Sequence, residues 1–258
     1  MKSLIAFILC SFLFPAGIAS ASILVSDSFS GSGTSDLNGY TPDTGANWVA
    51  YSPGVDNGWK VSGGNAYLGS ATTSNGMGGV ALGASYFSSN PNVYTLEATL
   101  SLSNTDTDWV GIGFSQNSST STNGYYSGGG TEGRPWMFLR GNGEANVRAG
   151  GATGTNLSKV TGNSTTNATL KLVLDTSVTQ WTVDGFINGT QMDLNGGSAG
   201  MTYAYSSNPT TIGNVGLSAS AGVDGLVHDF SLSVIPEPST LWLLVFGLLP
   251  LLSRFRKS

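Results

Sequence analysis

The sequence predicts an all-β protein, a two-sheet sandwich carried between two apolar end segments. Three observations predict it. Of 258 residues 37 are glycine and only 10% are charged, and Ala-, Glu- and Lys-rich stretches at helical period are missing. Short segments alternate apolar and polar residues with the period of two that half-buries a strand. Glycine- and asparagine-rich dipeptides sit between those segments as turn signals.

At the N-terminus Lys2 precedes an apolar run from Leu4 to Phe14, followed by Pro15-Ala16-Gly17 and Ala19-Ser20-Ala21. This pattern predicts a Sec-type signal peptide over residues 1–21, cut after Ala21, with Ser22 as the first mature residue. The single cysteine, Cys10, lies inside that run and is lost with it, so no disulfide or thiol chemistry remains.

Residues 22–235 form one β domain of ordinary size. They hold 14 acidic against 6 basic residues, a formal charge of −8. That balance excludes nucleic acid as a partner, because no basic face is available to neutralise phosphates. Strands are expected over Ile23–Phe29, Val93–Leu100, Asp108–Phe114, Trp136–Arg140, Thr169–Asp175, Ile212–Leu217 and Val227–Val234. Gly141-Asn142-Gly143 and Asn188-Gly189 mark turns, the second after a strand beginning at Gln180. Ten or more such strands joined by turns make a sandwich.

The C-terminal segment 236–258 opens with Pro236-Glu237-Pro238, continues as an apolar run from Leu241 to Leu252 and ends on Arg254, Arg256 and Lys257. Two prolines keep the entry extended and open to a protease. Ser239 to Leu252 is about 14 residues, roughly 21 Å of helix against a hydrocarbon core of about 30 Å. Extension through Phe255 with snorkelling cations completes the span, while Gly247 and Pro250 make the membrane helix a transient anchor. The basic cluster belongs on the cytoplasmic side.

These residues resemble the PEP-CTERM sorting signal of Gram-negative bacteria. The resemblance implies that Pro236, Glu237 and Pro238 are recognised by an exosortase, a membrane-embedded protease, and that the chain passes through an inner-membrane intermediate to the cell surface or extracellular polysaccharide matrix. The central region resembles the concanavalin A-like lectin/glucanase superfamily, in particular its laminin-G-like jelly rolls. That resemblance rests on Asp27-Ser28-Phe29, Gly111-Ile112-Gly113-Phe114 followed by Gly124-Tyr125-Tyr126, Val183 to Asn188-Gly189, and Val215-Gly216-Leu217 before Asp229-Phe230. It implies a jelly roll whose first and last strands are neighbours.

The hydrolases of that superfamily need two Glu and an Asp at alternate positions on one strand, and that motif is absent. The glutamates after the signal peptide are Glu97, Glu132, Glu144 and Glu237, none spaced as a strand pair. Gly196-Gly197-Ser198-Ala199-Gly200 matches a nucleophile-elbow pattern but lacks the helix that motif requires. The single His228 alternates within a strand and reads as structural. The expected activity is therefore non-catalytic binding of a surface or matrix polysaccharide, with a structural coat role and a polysaccharide hydrolase or lyase as alternatives.

A sugar's apolar face stacks on an aromatic ring while polar groups bind its hydroxyls. Trp109, on one face with Gly111 and Gly113, and Trp136, on one face with Phe138 and Arg140, join Tyr125 as the candidate glycan site. The alternative for both tryptophans is burial between the sheets. Asn104, Asp106 and Asp108 place oxygens at every second position, which makes Asp106 and Asp108 candidate calcium ligands, against a solvated turn closed by local hydrogen bonds.

Overall fold

The computed structural model describes residues 21–31, 33–51, 58–69, 75–103, 106–116, 133–149, 155–197 and 200–235. The signal peptide, the sorting segment, Tyr125, Asn104 and Ser198 lie outside them. Ala21–Pro236 forms one compact unit.

Strands run along the whole unit, some with alternating burial, as in β7 and β12, and others buried on both faces, as in β8 and β16. In chain order they are β1 Ser22–Asp27, β2 Ser35–Asp36, β3 Trp48–Tyr51, β4 Trp59–Ser62, β5 Asn65–Leu68, β6 Gly76–Ala81, β7 Val93–Leu102, β8 Trp109–Ser115 and β9 Trp136–Arg140. There follow β10 Ala145–Ala149, β11 Thr155–Val160, β12 Ala168–Asp175, β13 Thr182–Ile187, β14 Thr190–Gln191, β15 Tyr203–Ala204, β16 Asn214–Ala219 and β17 Gly225–Ile235. A single helical turn, α1 Tyr86–Ser89, precedes β7.

They form two antiparallel sheets. The ten-stranded sheet runs β14-β13-β12-β7-β17-β5-β4-β2, with β1 added on β17 and β15 on β13; the seven-stranded sheet runs β11-β10-β9-β8-β16-β6-β3. The first and last strands are neighbours as expected, with Asp27 opposite Phe230 and Ser22 opposite Val234. In β7 every second residue from Tyr94 to Leu102 is buried, which puts Leu96, Ala98 and Leu100 against the other sheet and Thr95, Glu97 and Thr99 outside. The hairpin between β13 and β14 turns on Asn188 (φ 50°) and Gly189 (φ 78°), two left-handed residues of the kind a two-residue turn demands.

The inter-sheet core is continuous from Val25 and Trp48 to Leu217 and Leu232. One polar group is built into it. The Asp27 carboxylate accepts the Phe29 N–H at 2.8 Å and the Trp48 Nε1–H at 2.6 Å, and only 2% of the residue is exposed. Burial pushes its pKa up from 3.8 to about 6, against the lowering effect of those two hydrogen bonds. Because the folded pKa is raised, Asp27 contributes most stability below pH about 4, and that contribution is lost as pH rises through about 6. The stability difference between the wild type and Asp27→Asn should therefore shrink between pH 4 and 7, by on the order of 2–3 kcal/mol. Urea midpoints of the two proteins across that range check it.

Candidate functional site

The structure brings three of the four expected glycan residues together. Antiparallel pairing of β8 and β9 sets Trp109 opposite Arg140 and Gly113 opposite Trp136. Val110, Ile112 and Phe114 point into the inter-sheet core, so Trp109, Gly111 and Gly113 point the other way. On that outer face Trp109, Trp136, Phe138 and Met77 form a second apolar cluster. The two tryptophan rings meet edge-on at 5.3 Å, and Trp136 stacks on Phe138 at 4.7 Å.

The tryptophans thus pack neither between the sheets nor as an open platform: Trp109 is 7% exposed and Trp136 1%. A stacking sugar needs an open ring face. The space expected beside Trp109 is also filled, because β9 approaches β8 closely. A Cβ at Gly111 would lie 2.5 Å from the Met137 carbonyl oxygen, and one at Gly113 would lie 2.5 Å from the Trp136 Cβ. Gly111→Ala and Gly113→Ala should each lower the unfolding free energy by about 1–3 kcal/mol, the usual range for overpacking. Chemical denaturation reads this directly.

Arg140 is already engaged. Its guanidinium lies 5.3 Å from the Phe138 ring centre, donates through Nη1 to the Thr107 carbonyl at 3.1 Å and faces Glu144 Oε1 through Nε at 3.3 Å. Glu144 also accepts Lys159 Nζ at 2.5 Å and Asn146 Nδ2 at 2.8 Å. Burial alone would raise the Glu144 pKa, but the Lys159 and Asn146 hydrogen bonds and the Arg140 charge bring it below the ordinary value. Glu144 is therefore held ionised at neutral pH, the wrong state for a general acid.

The two acidic residues of the calcium expectation sit in a turn. Asp106 Oδ1 accepts the Asp108 backbone N–H at 2.9 Å, and Asp108 Oδ1 accepts the Ser220 hydroxyl at 3.3 Å. This is the locally closed turn that competed with a metal loop. Among the described residues no three His, Cys, Asp or Glu side chains converge as a metal would require.

An open cleft of about 460 Å³ lies elsewhere, where β11 at the edge of one sheet faces β15 at the edge of the other. Leu157 and Leu194 give it an apolar floor, and Tyr203, Asn156, Asn195 and Thr202 supply a ring, two amides and a hydroxyl. The Thr202 hydroxyl is oriented by donation to Asp184 Oδ1 at 2.6 Å, and Gln191 Nε2 donates to the same oxygen at 2.9 Å. The Asn195 N–H is turned inward onto Asp193 Oδ1 at 3.1 Å. Tyr203 rests edge-on against the buried Tyr205 ring at 5.1 Å, and burial raises its pKa, so the phenol is neutral. No periodic pattern marks this site: Tyr203 belongs to a two-residue strand after a glycine-rich stretch.

No protein-family model and no curated protein matches the chain. Solved structures do. An endo-1,3-β-glucanase from Streptomyces sioyaensis superposes with a TM-score of 0.50 at 12% identity, covering 83% of this chain and 96% of that one. The shared fold is an all-β two-sheet sandwich. The carbohydrate recognition domain of Emp47p superposes with a TM-score of 0.48 at 11% identity, covering 81% of this chain and 96% of that one. Peanut lectin gives 0.44 at 13% identity, over 78% and 97% of the two chains. At these identities the likeness is one of fold.

Proposed function

We propose that the protein is an exported glycan-binding module that holds a surface or matrix polysaccharide without cutting its glycosidic bonds. The observation that carries this reading is the cleft between β11 and β15. A neutral ring, two amides and an oriented hydroxyl over an apolar floor match a ligand with C–H faces and many hydroxyls. No carboxylate is among the described residues that line it, so they do not assemble the pair of acids needed for glycoside hydrolysis. Lectin-like structural neighbours agree with the ligand class.

Export follows the route written in the two end segments, with signal cleavage after Ala21 and exosortase processing at Pro236-Glu237-Pro238. Calcium at Asp106 and Asp108 is not needed for this cleft. A glycan array and a polysaccharide retention assay on the secreted protein, run with calcium and with a chelator, test the reading. Saturable retention independent of calcium is expected; failure to retain on any polysaccharide overturns it.

One observation favours the structural coat alternative. All five described tryptophans, Trp48, Trp59, Trp109, Trp136 and Trp181, are buried. Acrylamide should therefore quench their fluorescence weakly, and in a coat protein added polysaccharide would leave the domain unaffected.

A further inference from the structure

The outer face of the ten-stranded sheet carries three residues in the geometry of a nucleophile, its base and the group that orients the base. Ser101 Oγ lies 2.8 Å from His228 Nε2, and His228 Nδ1 lies 2.5 Å from Asn65 Oδ1. The residues come from three adjacent strands, β7, β17 and β5. Their juxtaposition has a backbone cause. Val227 pairs with Leu100 and Asp229 with Thr99, so His228 is the extra residue of a β-bulge. A bulge of this kind re-aims the side chain it carries.

The tautomer follows from the surrounding hydrogen bonds. Asn65 Nδ2 donates to the Gly63 carbonyl at 3.0 Å, which fixes the amide with Oδ1 toward the imidazole. That oxygen can only accept, so the proton resides on His228 Nδ1, and the Nε2 lone pair faces the Ser101 hydroxyl. Ser101 Oγ in turn accepts the Asn167 backbone N–H at 2.9 Å, and its own hydrogen has two acceptors, His228 Nε2 at 2.8 Å and the more distant Asn167 Oδ1 at 3.4 Å. This is the base-ready arrangement of a hydroxyl nucleophile. Ser101 and His228 are half-buried and Asn167 is exposed, so the hydroxyl is within reach of solutes.

We propose that Ser101 is a nucleophile toward small carboxylic esters of the acetyl class, with His228 as its base and Asn65 as a positioning residue. Ser101 Oγ attacks the ester carbonyl carbon and its proton passes to His228 Nε2. The bond to the alcohol oxygen then breaks, and the alcohol leaves with that proton. Water, deprotonated by His228, attacks the acyl-serine to release the carboxylic acid and return the proton to Ser101. The Asn167 N–H, 2.9 Å from Ser101 Oγ, is a backbone donor beside the attacking oxygen. A half-buried hydroxyl on an open sheet face suits a small acyl group, such as the O-acetyl esters polysaccharides carry. This activity is independent of the glycan cleft, which lies at the β11 and β15 edges.

The test is labelling of the full chain with a fluorophosphonate probe and acylation by p-nitrophenyl acetate, with the adduct located by peptide mass. The adduct is expected on Ser101, absent in Ser101→Ala and slowed at least tenfold in His228→Gln. Asn65→Ala should also slow it, and Asn65→Asp, which keeps the acceptor, should restore the rate. A merely structural Asn65 would show no such rescue. Folding of each variant is checked by tryptophan fluorescence. An adduct elsewhere, or His228→Gln reacting as fast as the wild type, overturns the proposal.

Discussion

Replacing Trp48 by alanine is expected to leave the domain largely unfolded at room temperature. The Trp48 side chain is fully buried, packs edge-on against Phe230 at 5.1 Å and meets Phe29 at 5.9 Å. Truncating a core tryptophan costs about 3–5 kcal/mol through lost transfer energy and the cavity left behind. Here a second loss is added, because Nε1 is one of two donors to the buried Asp27 carboxylate. A hydrogen bond to a charged group contributes about 1.5–3 kcal/mol. The sum approaches the whole stability of an ordinary domain, about 5–15 kcal/mol. Trp48→Phe separates the two parts: it keeps most of the packing and should cost only about 2–3 kcal/mol at neutral pH. Equilibrium denaturation of both variants checks the ordering; equal midpoints for Trp48→Phe and the wild type would remove the Asp27 bond from the account.

The second large effect is expected on binding. Tyr203→Ala removes the only aromatic ring among the described residues lining the cleft while leaving Leu157, Leu194 and the Asp184-held Thr202 in place. Ring contacts contribute about 0.5–1.5 kcal/mol beyond area burial, and the buried area adds to this, so polysaccharide affinity should fall at least about tenfold, about 1.4 kcal/mol. Tyr203→Phe keeps the ring and should lose far less. Arg140→Ala, away from the cleft, should leave affinity unchanged. Affinity electrophoresis in polysaccharide gels gives all three values side by side.

Much of the sandwich is legible from local pattern. Trp136–Arg140 is a strand with the expected bounds, β7 and β12 announce themselves by strict alternation, and β17 does so beyond its bulge, from Asp229 to Ser233. Neighbouring β1 and β17 follow the family resemblance. The strand β6, Gly-Met-Gly-Gly-Val-Ala, was not legible, because glycines carry no periodicity. Its Gly78 answers instead to a side chain from elsewhere, since a Cβ there would lie 2.7 Å from Leu37 Cδ2. Candidate-site chemistry read less well for a related reason. Alternation puts Trp109 with Gly111 and Gly113, and Trp136 with Phe138 and Arg140, yet says nothing of whether those faces are open, and here both rings are buried. The cleft is assembled from β11, β15 and the loop around Asn195, which are distant in sequence and individually featureless. The Ser101 and His228 contact likewise depends on a bulge that shifts register by one residue, which no pattern of two can foresee.

Glycan binding in the cleft between β11 and β15 is read out by an amide chemical-shift titration of the secreted protein with oligosaccharides from the best-retained polysaccharide. Saturable shifts confined to Asn156, Leu157, Leu194–Gly196 and Thr202–Ala204 are expected. Shifts centred on Trp109, Phe138 and Arg140 would move the site to the outer face of the seven-stranded sheet, and no shifts at saturating sugar would contradict glycan binding altogether.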